Sequence, residues 1–89
     1  MASIVTYDVP SKHQELKEKM LGLGYKDHIF DTSEKIYLPN TTLYHESKNA
    51  AYALKDVKTS CTALDIKLER CISTQFGPDW AEINGEPFQ

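Results

Sequence analysis

Asp8 closes a short run rich in β-branched and aromatic residues, Ser3-Ile4-Val5-Thr6-Tyr7, and Pro10 follows two positions later. A carboxylate at a strand end has two uses. It can cap the turn or helix that follows, as aspartate commonly does. It can also hold a hard cation: magnesium takes oxygen ligands, keeps several waters, and needs only one or two carboxylates. An ion held there would activate a water for hydrolytic attack. Asp8 is thus the candidate catalytic residue and the candidate magnesium ligand, and both uses stay open. Thr6 shares its face by strand alternation.

No other residue type makes a comparable pattern. His13, His28 and His45 lack a metal-binding spacing. Asp27 and His28 are adjacent, and neighbouring strand residues point to opposite faces, so no dyad is expected of them. Tyr7, Tyr37, Tyr44 and Tyr52 could stack nucleobases, but core or edge packing explains each of them. Cys61 and Cys71 match neither a zinc site nor a redox motif. There is no glycine-rich phosphate loop and no nucleophile elbow.

The elements that must position Asp8 read as follows. Ser3 to Val9 is a strand stopped by Pro10. Ser11 and Gln14 have the form of a capping box, opening a helix with Leu16, Met20 and Leu23 on one stripe. Gly22 and Gly24 offer its stop. Lys26 to His45 reads as two antiparallel strands, with the polar turn-like stretch Asp31-Thr32-Ser33-Glu34 inside it. Ser47 can cap a second helix, whose inner face is Ala50, Ala53, Leu54, Val57, Cys61 and Leu64. Ile66 to Phe76 reads as the last strand, with Ile66, Leu68, Ile72, Thr74 and Phe76 turned towards the helices. That parity puts Cys71 on the outer face and Cys61 on the inner, so no disulfide between them is expected.

The order strand, helix, strand, strand, helix, strand predicts an α+β protein with a ferredoxin-like βαββαβ fold. Four antiparallel strands carry two helices on one face. The domain is expected over residues 1–76. The tail, residues 77–89, carries Trp80, Ile83 and Phe88, and is expected to pack back or to add a short strand to a partner chain. A chain of 89 residues buries a modest core, and covering the open sheet face by dimerisation would help it. The net charge of −3 argues against tight binding to a phosphate backbone. No apolar run is long enough for a membrane span, and the first residues lack the basic and apolar regions of a signal peptide. A cytoplasmic location is therefore expected.

The opening Ile4-Val5-Thr6-Tyr7-Asp8-Val9-Pro10, followed at once by an amphipathic helix, resembles the start of the CRISPR-associated Cas2 family and its relatives outside CRISPR loci. In those proteins a hydrophobic strand ends in Tyr-Asp or a near variant. Leu38-Pro39-Asn40-Thr41-Thr42-Leu43-Tyr44 is similar to a Ser-Thr-Trp-type strand of the non-CRISPR group. The resemblance implies a homodimer of ferredoxin-like subunits with Asp8 beside its symmetry mate. It also implies either a magnesium-dependent nuclease or a scaffold that binds DNA or RNA. The arginine-rich first helix of the family is replaced here by Lys12, Lys17 and Lys19. The alternative is a non-enzymatic dimeric module that binds a protein partner or regulates one.

Overall fold

The computed structural model describes residues 2–31, 33–78 and 80–81. Strand β1, Ser3–Asp8, is the central strand of a three-stranded antiparallel sheet. Its alternation is clean: Ser3, Val5 and Tyr7 are buried on one face, while Thr6 and Asp8 are exposed on the other. Strand β4, Thr42–His45, lies on one side, with Val5 opposite Leu43. Strand β5, Arg70–Gln75, lies on the other, with Val5 opposite Ser73 and Tyr7 opposite Cys71.

Two helices cover the inner face. Helix α1, His13–Gly22, buries Leu16 and Met20; helix α2, Ala50–Ala63, buries Ala53, Val57, Ser60 and Cys61. These side chains share one core with Val5, Tyr7, Val9, Tyr25, Leu43 and Ile66. Ala53 and Val57 are a helical turn apart and face the sheet. Leu54, expected beside them, is turned about a quarter of the way round the helix and is 37% exposed. No helix among the described residues is long and apolar enough to cross a membrane.

Neither helix starts where its polar residues suggest. Lys12 takes the left-handed conformation (φ 57°) and stands at the N-cap of α1 without a side-chain bond to the helix. The helix therefore begins beyond the reach of Ser11, and Gln14 donates to Glu18 instead. Asn49, two residues after Ser47, caps α2: its Oδ1 accepts the Tyr52 N–H at 2.9 Å. Lys12 Nζ in turn donates to the Leu64 carbonyl at 2.9 Å, a cation at the C-terminal end of α2 where the helix dipole favours one.

The middle of the chain holds three strands rather than two. Strands β2, His28–Asp31, and β3, Glu34–Tyr37, form a hairpin of their own. Asp31 stands opposite Glu34, so the polar stretch does connect the two strands; Thr32 within it lies outside the described residues. The hairpin joins the three-stranded sheet at a single bridge, where Lys26 and Tyr44 exchange two backbone hydrogen bonds of 2.8 Å. The expected single four-stranded sheet is thus replaced by a sheet of three strands and a hairpin of two. Residues 28–31 find their backbone partners in β3, and β4 is left with β1 and Lys26. Asp27, at the point of departure, accepts from Lys17 and from His28, both at 2.9 Å.

The last strand is shorter than expected and has the opposite parity. The Glu69 N–H bonds the Asp8 carbonyl at 3.0 Å, while Arg70 is the register partner of Asp8. Two residues meeting one is the arrangement of a β-bulge, and it shifts the alternation by one position. Cys71 and Ser73 turn inward, and Ile72 is 70% exposed. Cys61 and Cys71 therefore lie on the same side of the sheet, not on opposite sides, and both are free thiols. Burial pushes the Cys71 thiol up to about 11, so it stays protonated and a poor nucleophile near neutral pH. Beyond β5, the Phe76 ring meets Tyr44 edge-on at 5.5 Å and Trp80 at 5.6 Å. Residues 79 and 82–89 of the tail lie outside the described residues.

Candidate functional site

Asp8 is the last residue of the central strand and points to the face without helices. Its Oδ2 accepts a hydrogen bond from Arg70 Nε at 2.6 Å. The two side chains are 52% and 79% exposed, so solvent reaches the pair from most directions. The bulge that shortens β5 sets Arg70 directly opposite Asp8. Thr6 lies next along the same face, where its Oγ1 accepts from Thr42 Oγ1 at 3.3 Å. Ile72, the register partner of Thr6, completes a small open patch.

This geometry separates the two uses of Asp8. A capping carboxylate would accept backbone N–H groups of the turn or of α1. Among the described residues, Asp8 has the Arg70 guanidinium as its side-chain partner, and no side chain caps α1. A single chain does not gather three or more His, Cys, Asp or Glu residues around a metal position among the described residues. One carboxylate can hold magnesium only weakly, so the residues present fit the ion when a second Asp8 joins the first. Arg70 would then leave Oδ2, because guanidinium and metal compete for the same oxygen.

A second polar cluster lies at the opposite end of the sheet, between α1 and α2. Tyr25 Oη and Lys48 Nζ both donate to Asp56 Oδ2, at 2.8 and 2.7 Å. Lys48 Nζ also lies 5.4 Å from the centre of the Tyr25 ring. His45 stacks edge-on against Tyr25 at 4.8 Å, and its Nδ1 accepts the backbone N–H groups of Ser47 and Lys48, both at 3.1 Å. That pattern fixes the tautomer: Nδ1 carries no proton and Nε2 carries one. Gly24, at φ 98°, leaves room for the ring, since a Cβ there would stand 3.0 Å from His45 Nε2. Burial pushes the Asp56 carboxyl up, but the bonds from Lys48 and Tyr25 outweigh it and hold it below its ordinary value. No spacing in the sequence links Tyr25, His45, Lys48 and Asp56; only the fold brings them together.

The remaining candidates divide plainly. His13 is exposed. His28 and Asp27 are bonded at 2.9 Å, contrary to the expectation from strand alternation, because Asp27 precedes β2 and is not bound by its alternation. Burial raises the Asp27 carboxyl, and the bonds from His28 and Lys17 reverse the shift and lower it. Tyr7 is a core residue whose hydroxyl is pushed up to about 12, chiefly by burial and further by Cys61 and Cys71. Compared with protein-family models, with curated proteins and with solved structures, the chain finds no match.

Proposed function

We propose that the protein works as a Cas2-like homodimer of ferredoxin-like subunits that binds or cleaves nucleic acid in the cytoplasm. The Asp8 carboxylate and its symmetry mate would hold a magnesium ion, which would supply an activated water for attack on a phosphodiester. The spatial order β5, β1, β4 and then Lys26, all antiparallel, supports the ferredoxin-like reading, with the hairpin as an elaboration of its outermost strand. The observation that carries the proposal is the state of Asp8: a solvent-facing carboxylate at the end of the central strand, held by one surface guanidinium. An exposed pair of this kind is worth about 0.2–1 kcal/mol, so a divalent ion can displace Arg70 at small cost. Arg70, once released, is placed to meet a phosphate oxygen.

The test is magnesium-dependent cleavage of single- and double-stranded DNA and RNA by the purified protein, alongside Asp8→Asn. Asn keeps the shape of the side chain and removes the charge the ion needs. Cleavage that requires magnesium and disappears in the variant, with an unchanged circular dichroism spectrum, is the expected result. Cleavage that survives Asp8→Asn removes this residue from the mechanism. The exposed Ile72 on the same patch and the net charge of −3 favour a second reading, a non-enzymatic dimeric module for a protein partner. A wild type that neither cleaves nor binds any of the four nucleic acids, at any salt concentration, decides for that module.

A further inference from the structure

Ile29 and Ile36 face each other across the β2–β3 hairpin and are buried, yet they lie outside the core beneath the helices. They belong instead to a groove of about 520 Å3 between the hairpin and the outer sheet face, walled by Ile4, Phe76 and Trp80. We propose that this groove binds an uncharged, planar aromatic small molecule.

Three observations define that occupant. The volume falls within the range of about 300–1,000 Å3 usual for small-molecule sites. The chain is 26% charged, yet among the described residues no charged side chain lines the groove. An ion placed there would lose its hydration with no counter-charge to replace it, so the occupant is neutral. The Phe76 and Trp80 rings lean together, 37° apart in plane, and make an aromatic wall suited to offset stacking. Thr42, Thr74 and Gln75 add hydroxyl and amide groups that can orient one polar substituent. Ile4 and Asp8 are four residues apart on β1, about 13 Å along the strand, so the groove and the carboxylate can fail independently.

The chain has a single tryptophan, and it lies in this wall, which supplies a direct readout. The probe is N-phenyl-1-naphthylamine, a neutral aromatic whose emission rises in apolar surroundings. Titration should show saturable binding of one probe per chain, with energy transfer from Trp80. Thr74→Arg places a charge on the groove from an exposed strand position and should weaken binding at least tenfold with circular dichroism unchanged. Trp80→Ala should weaken it too, and Trp80→Phe should restore most of the affinity. The proposal is overturned if 1-naphthalenesulfonate binds as tightly as the neutral probe, if Thr74→Arg binds normally, or if no saturation is reached. Affinity that falls as protein concentration rises overturns it as well, because a second copy then covers the groove.

Discussion

Two of the protein's ion pairs have nearly equal lengths and opposite settings. Lys48 and Asp56 meet at 2.7 Å, Arg70 and Asp8 at 2.6 Å. The first pair is 31% and 20% exposed, shares its carboxylate with the Tyr25 hydroxyl, and sits beside the His45 ring that holds the start of α2. The second is 79% and 52% exposed and stands by itself at the end of a strand. Distance therefore says little about what a pair does. Enclosure and the number of shared partners decide whether a carboxylate is part of the framework or free to exchange.

Substitutions should widen that difference. Asp56→Ala should have the largest effect, about 1.5–3 kcal/mol in urea unfolding, because it strands a lysine and a tyrosine hydroxyl together. Its effect should also depend on acidity. The folded carboxyl lies below its ordinary 3.8, so its contribution is full above that value and fades as pH falls through it. The stability gap between wild type and Asp56→Ala should accordingly shrink from about pH 5 towards about pH 2. An equal gap at both ends would show that the loss comes from packing and not from the charge. Tyr25→Phe should cost less, about 0.5–1.5 kcal/mol, since Asp56 keeps Lys48. Arg70→Ala should cost least, under about 1 kcal/mol, and added salt should make the difference smaller still. A larger loss for Arg70→Ala than for Tyr25→Phe would reverse the assignment of framework and exchangeable pair.

The sequence displayed what periodicity controls. The alternation of β1 and the apolar stripe of α2 through Ala53, Val57 and Cys61 are patterns of many residues, and both persist in the fold. What it hid depends on single backbone events. One extra residue at Glu69–Arg70 reverses the facing of everything after it, so Ile72 is outside and Cys71 inside. One left-handed residue, Lys12, moves the start of α1 past its apparent cap. The hairpin captured residues 28–31 because local pairing with β3 competes with the longer-range pairing to β4, and composition does not distinguish them. Asp8 was legible as a strand-end carboxylate. Its partner was not, because Arg70 lies 62 residues away and only the bulge brings it opposite.

Gly24 gives the fold an unusual kind of joint. The two helices are separated in the chain by three strands, yet Gly24, two residues past the end of the first, meets the His45 ring whose Nδ1 holds the amides ahead of the second. The contact is close because glycine has no side chain: an alanine methyl there would stand only 3.0 Å from the ring nitrogen, and the backbone is twisted into a form that only glycine adopts freely. Adding that methyl would act like a wedge driven into a hinge. It would press on the His45 ring and strain the two amide bonds that its Nδ1 accepts ahead of α2, from a position that belongs to neither the helix nor its cap.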